Sequence, residues 1–175
     1  MKAEGSLFGM DYNIDRLAKA RMSEGYAGLA NGSLISAPFR DETWDVILCN
    51  HVLEHIQEDE KALNELSRVL RQNGLLILGV PNEGCMLARL RNHIIQPKIS
   101  ATTDHVNFYI EDSIISKIIK AKLSVVKVET EGFFVPHLRI SGFLGARRWG
   151  RTVTALMKNL FPSQAAGLTI ICRKK

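Results

Sequence analysis

The chain is 175 residues long, 46% hydrophobic and 23% charged, with a net charge of +5, a composition that fits one globular domain with its own core. No apolar run approaches the roughly 20 residues that span a bilayer, and Met1 to Gly5 lack the basic-then-apolar order of a signal peptide. Cys49, Cys85 and Cys172 are too scattered for a disulfide framework or a metal knuckle, so buried reduced thiols and a cytoplasmic location are expected.

Ser6 to Met10 (SLFGM) is a short apolar run with an acid, Asp11, directly at its end. Ile14, Leu17, Ala18 and Met22 follow at helical spacing and predict a helix over Ile14–Glu24. Ala27–Asn31 reads as a short strand. Trp44–Cys49 (WDVILC) is almost wholly apolar, as in a strand buried on both faces. Ala62, Leu63, Leu66, Val69 and Leu70 then fall on one helical stripe. Glu58, Asp59 and Glu60 at its start and Arg68 and Arg71 at its end suit the helix dipole, and Asn73-Gly74 offers a left-handed stop. Leu75–Val80 (LLILGV) is a second buried strand, halted by Pro81-Asn82.

Met86, Leu87 and Leu90 predict a helix ending before Pro97, and Ile110, Ile114, Ile115, Ile118 and Ile119 a further one. Ser124–Glu131 alternates like a strand near an edge. Val153, Leu156, Met157, Leu160 and Phe161 make an amphipathic helix closed by Pro162, and Gly167–Cys172 is the last strand. Strands alternating with helices give an α/β fold, read as a single domain over 1–175 with a mostly parallel sheet. The final two strands are the place for an antiparallel hairpin. They are joined by a basic insert, 132–162. From Gly132 to Lys175 there is no acid, while Arg139, Arg147, Arg148, Arg151, Lys158, Arg173, Lys174 and Lys175 all fall there. Such a run is either a solvated face or a surface for phosphate, nucleic acid or anionic lipid.

In open parallel sheets ligands bind beyond the carboxyl ends of the strands. That rule selects Asp11, Ser33, Cys49, Asn50, His51 and Pro81-Asn82. Asp11 is either an acceptor for ribose hydroxyls or an acid that caps the helix starting near Asn13; no GxGxxG is present to favour the first. Asn50-His51-Val52-Leu53-Glu54-His55 admits three readings. A histidine could take a proton from a substrate hydroxyl. His51, Glu54 and His55 on one helix face could ligate a divalent ion, although such a zinc motif needs a longer helix and a third ligand. The polar groups could equally serve only the backbone at a helix start.

The stretches GMDYNIDRLAKAR, GSLISAPFRDETWDVILCNHVLEHI, ALNELSRVLRQNGLLILGVPNEG, DHVNFYIEDSIISKIIKAKLSVVKVE and AAGLTIICRKK resemble, in order and spacing, the type 11 and type 23 groups of class I S-adenosylmethionine-dependent methyltransferases. The resemblance covers Ser6 to Lys175. It implies a Rossmann-like doubly wound sheet, mostly parallel with an antiparallel last strand, and S-adenosyl-L-methionine as cofactor. It implies transfer of a methyl group to an oxygen, nitrogen or carbon of a small-molecule acceptor. By position, Asp11 matches the ribose acid and Tyr12 follows near the adenine. Gly32, Ser33 and Leu34 match the adenine-side segment, with Ser33 where the family usually has an Asp. Asn50 and His51 match the methionine end. Glu54 and His55 match the EH pair of quinone-type O-methyltransferases, which implies a substrate-side base or a metal contact, so His51, His55 and Glu54 are the catalytic candidates. His105 and Asn82 are the substrate-side candidates, Ala37-Pro38-Phe39 matches the turn before the third strand, and no resident metal is expected.

The family also has a glycine-rich strand and loop ahead of the segment equivalent to SLFGM, and Met1–Gly5 resembles only the end of the helix that follows them. That strand lies between the equivalents of SLFGM and WDVILC. Without it, each unpaired buried backbone group costs about 1–3 kcal/mol, against a domain stability of roughly 5–15 kcal/mol. The two strands are therefore expected to pair directly, to take a strand from a partner or another copy, or to leave the chain unstable alone. The alternatives to a catalyst are a methyltransferase-like protein that no longer binds cofactor and a basic module on a membrane or nucleic-acid surface. The resemblance itself implies no nucleic acid.

Overall fold

The computed structural model describes residues 5–23, 25–95 and 104–175. Met1–Glu4, Glu24 and the expected helix stop before Pro97 lie outside them. In chain order, strand β1 (Leu7–Asp11) leads to helix α1 (Ile14–Arg21), β2 (Tyr26–Asn31) and β3 (Trp44–Asn50). Then come α2 (Asp59–Val69), β4 (Leu70–Pro81), the short α3 (Met86–Leu90), α4 (Glu111–Lys120) and β5 (Leu123–Glu131). Helices α5 (Leu138–Gly145) and α6 (Arg148–Leu160) precede β6 (Gly167–Lys174).

The strands form two sheets. β1 and β2 pair in parallel, and a four-stranded sheet runs in the order β3-β4-β6-β5. β3 and β4 are parallel, while β6 is antiparallel to both β4 and β5. The expected antiparallel closing strand is thus present. Of the outcomes anticipated for β1 and β3, direct pairing does not occur: they belong to separate sheets. Aromatic rings join the sheets instead, with Trp44 of β3 packing on Phe8 of β1 at 5.0 Å between centroids and on Phe39 at 5.1 Å.

Strand register explains which side chains make the core. Cys49, Leu78, Ile170 and Val128 stand opposite one another across all four strands, as do Ile47, Leu76, Cys172 and Val125 one step away. This face is covered by Ala62, Leu63 and Leu66 of α2 and Ile114 and Ile118 of α4. Side chains alternate across a strand, so Leu48, Ile77 and Ile171 fall on the opposite face. There Val46 and Leu48 remain 57% and 71% exposed.

Two local expectations are corrected. α2 ends at Val69 rather than at Asn73-Gly74, because Leu70 turns extended and pairs with Trp44; Asn73 does adopt the left-handed conformation, at φ 62°, but within the chain entering β4. The His51–His55 segment is not an α-helix. His51 is left-handed at φ 52° and only Leu53–His55 forms a single 3₁₀ turn. His51 and His55 therefore do not share a helix face.

The Ala37-Pro38-Phe39 turn is tied to α2 by Arg68, which donates to the Ala37 and Phe39 carbonyls, to Asp41 and to Glu65. The Arg68 hydrogen bonds hold the Glu65 carboxyl below its ordinary value of 4.5, assisted by the Ala37 N–H. A carboxyl depressed by folding stabilises the fold above its unfolded value. Glu65→Gln should therefore lower stability at neutral pH, with the difference closing as pH falls through the acid range; equal denaturant midpoints at pH 7 would contradict this. In the same assay Ile118→Ala should cost about 2–5 kcal/mol, and Leu48→Ala less than about 0.5 kcal/mol.

Candidate functional site

The carboxyl ends of β1 and β3 carry two groups of polar side chains. At β1, Asp11 Oδ1 accepts from the Asn13 N–H at 2.8 Å and its Oδ2 lies 3.8 Å from Arg16. The helix cap is Asn13, whose carboxamide oxygen accepts from Asp15 and Arg16. The capping alternative for Asp11 is thus met by its neighbour, and Oδ2 keeps acceptor capacity. Asn31, which the sequence reading did not single out, fixes this strand end by donating to the Asp11 and Tyr12 carbonyls at 3.1 and 2.9 Å. An amide ending the next parallel strand was the available signal. Tyr12 is 72% exposed. Gly32 donates to the Asp11 carbonyl and has no room for a Cβ, which would stand 2.6 Å from Pro38. Ser33 turns back on Ser36, while Leu34 packs against the core.

At β3, Asn50 lies across Gly79 of the neighbouring strand; a Cβ there would meet Asn50 Oδ1 at 1.9 Å. Gly79 is thus what lets Asn50 occupy the strand end, and the glycine inside LLILGV was its only mark in the sequence. His51 donates its backbone N–H to the Gly79 carbonyl, and its imidazole reaches Glu54 Oε1 at 3.2 Å through Nδ1. The Glu54 side chain is fully buried. His55 Nε2 lies 3.9 Å from the same oxygen, and Glu54 Oε2 has no hydrogen-bond partner among the described residues.

A segment from far along the chain covers this turn. The Val106 and Asn107 N–H groups both donate to the Glu54 carbonyl, at 2.9 and 3.1 Å. Asn107 also donates to the Ile56 carbonyl. This strap sets His105 against His55, ring centroids 4.8 Å apart. His105 Nδ1 meets Glu83 Oε2 at 3.2 Å, and Glu83 is paired with buried Arg91 at 3.0 Å. Glu83 and Asn107 were not foreseen; Glu83 follows Pro81-Asn82 at a strand end, which is where the rim rule could have placed it. Asn82 stays apart from the cluster. Its amide donates to the Ala165 carbonyl at 3.0 Å and is spent on anchoring the entry to β6.

Residues 1–78 match the protein family described as a methyltransferase domain. A solved S-adenosylmethionine-dependent methyltransferase of Thermotoga maritima superposes with a TM-score of 0.64 at 20% identity, covering 96% of this chain and 72% of that one. Residues 1–78 are thus similar to a methyltransferase domain, and the described residues share the fold of a solved S-adenosylmethionine-dependent methyltransferase. At that identity the superposition speaks for the fold, and its α/β sheet with an antiparallel last strand is the one described above. The chain is also similar, at 35% over 65 residues, to the uncharacterized methyltransferase YcgJ of Bacillus subtilis, covering 36% of this chain and 26% of that protein. A Methanocaldococcus jannaschii protein is 42% identical over 55 residues, 31% of this chain and 24% of its own length. The chain thus spans about a quarter of the length of these curated relatives. Among the described residues, Asp11 Oδ2 keeps acceptor capacity at a parallel strand end, which is what a ribose hydroxyl of S-adenosylmethionine would require.

Burial removes Cys49, beside this site, from nucleophilic chemistry. Desolvation, and then the Glu54 charge, push its thiol up to about 12; burial alone does the same for Cys172, to about 12. Thiolates are the reactive form. Iodoacetamide at pH 8 should therefore leave both unmodified in the folded chain and label both in denaturant. Rapid labelling of Cys49 in the native state would contradict the packing described.

Proposed function

We propose that the chain transfers a methyl group from S-adenosylmethionine to a small-molecule acceptor, using residues at the carboxyl ends of β1 and β3. The observation that carries this reading is the placement of Asp11 and of Asn50-His51 at the ends of two parallel strands, where α/β sheets bind ligands. Asp11 would accept from the ribose hydroxyls, with Tyr12 and the Gly32-Ser33-Leu34 segment on the adenine side and Asn50 toward the methionine end. The cofactor supplies an electrophilic methyl on a sulfonium, so the chain's main task is to align an acceptor with it. His51 is the base: with Nδ1 donating to Glu54 Oε1, its Nε2 is left to take the acceptor's proton. His55 and His105 would line the acceptor side.

Calorimetric titration with S-adenosylhomocysteine tests the reading. Micromolar binding is expected, weakened at least tenfold by Asp11→Ala, about 1.4 kcal/mol. No binding by a folded chain would overturn it in favour of a methyltransferase-like protein without cofactor.

One feature of the basic insert favours an acceptor at an anionic membrane surface. Trp149, Val153, Leu156 and Leu160 of α6 lie four, three and four residues apart and are 53%, 44%, 58% and 61% exposed, so the helix turns an apolar stripe to solvent. Gly150 faces inward, where a Cβ would stand 2.2 Å from the Leu144 carbonyl oxygen of α5. Phe143 extends the apolar surface, with Arg147 stacked on its ring at 3.6 Å. Apolar side chains flanked by arginines and free of acids suit the lipid interface, whereas a second copy would set like charges together. Among the described residues no helix is long and apolar enough to cross a membrane. Co-sedimentation with phosphatidylglycerol vesicles at low salt is expected, with loss in Leu156→Glu; no co-sedimentation, or equal binding to neutral vesicles, would exclude this surface.

A further inference from the structure

We propose that the Glu54 carboxylate and the imidazoles of His55 and His105 form a binding site for a zinc-class divalent cation. Three observations converge on it. The first is proximity: one ligand atom from each of the three residues lies within 4.8 Å of the others. Glu54 and His55 are consecutive, and His105 is brought to them from fifty residues further on by the strap that the Val106 and Asn107 N–H groups fasten to the Glu54 carbonyl.

The second is the unbalanced carboxylate. Glu54 is wholly buried, and a buried charge is costly unless paired and fully hydrogen-bonded. Its Oε2 has no partner among the described residues. Oε1 is met by His51 at 3.2 Å and approached by His55 at 3.9 Å. A cation between Glu54 and the two more enclosed imidazoles supplies the missing compensation.

The third is the arrangement behind the imidazoles. His55 Nδ1 is engaged by Asp104, by Oδ1 at 3.2 Å and by the carbonyl at 3.3 Å. His105 Nδ1 is engaged by Glu83 at 3.2 Å, and Glu83 is held by Arg91. In both rings one nitrogen is engaged by a carboxylate, and His55 Nε2 turns toward Glu54, 3.9 Å from Oε1. Histidine ligands of metals are oriented this way, by a carboxylate or carbonyl behind the ring. Two imidazole nitrogens and one carboxylate select a borderline transition metal over magnesium or calcium and leave a coordination position for water or for an acceptor oxygen. That last use rests on the methyl-transfer reading; cation binding does not.

The test is titration of the metal-stripped chain with Zn²⁺ and, for its spectrum, Co²⁺, in the absence of S-adenosylmethionine. One equivalent is expected to bind at micromolar strength or tighter, unaffected by excess Mg²⁺, and Co²⁺ should develop the visible absorption of a four- or five-coordinate ion. His55→Gln and His105→Gln, checked for folding by circular dichroism, should each weaken binding at least tenfold and abolish that absorption. Should a variant fail to fold, diethyl pyrocarbonate modification of the wild-type chain decides: Zn²⁺ should protect His55 and His105 and leave His93 reactive. No binding by the folded chain, undiminished binding in both variants, or equal modification of His55 and His105 with and without Zn²⁺ would each overturn the assignment.

Discussion

Burying the Glu54 carboxylate at the end of β3 costs free energy unless donors or positive charge surround it, and much of the neighbouring architecture answers that requirement. His51 takes a left-handed backbone conformation and brings its imidazole onto Oε1. The 104–109 strap bonds to the Glu54 carbonyl and delivers His105. The Tyr109 hydroxyl donates to Asp59 at 2.8 Å and lies 3.4 Å from the Leu53 carbonyl, closing the turn. One buried acid thus links the end of a core strand to a segment some fifty residues further on.

The second constraint is the division of the strands into two sheets. The polar groups at the ends of β1 and β3 are each well positioned by their own neighbours, Asn31 on one side and Gly79 on the other. The sheets meet through the Phe8–Trp44–Phe39 ring cluster rather than through a ladder.

Strand and helix order was readable because long apolar runs such as WDVILC and LLILGV, and the α2 stripe, obey their periods over many residues. Boundaries failed where a tertiary pairing overrode a local stop: Leu70 leaves the helix to pair with Trp44, although Asn73-Gly74 was the stronger local signal. The HVLEH segment was misjudged as helix because its spacing suits one, while the backbone at His51 forbids it. Helix α5 carried no periodic mark strong enough to predict. Asp11 and Glu54 were legible as charges placed after apolar strands. Glu83, Asn107 and Asn31 were not, since each acts through a contact with residues distant in sequence.

The central claim is that the two strand-end groups bind one ligand together, and amide NMR of the labelled chain during addition of S-adenosylhomocysteine tests it most directly. The account predicts shift changes at Asp11, Tyr12 and Gly32–Leu34 and, with the same concentration dependence, at Asn50 and His51. Changes confined to one strand end, or to the basic segment beyond Gly132, would contradict it.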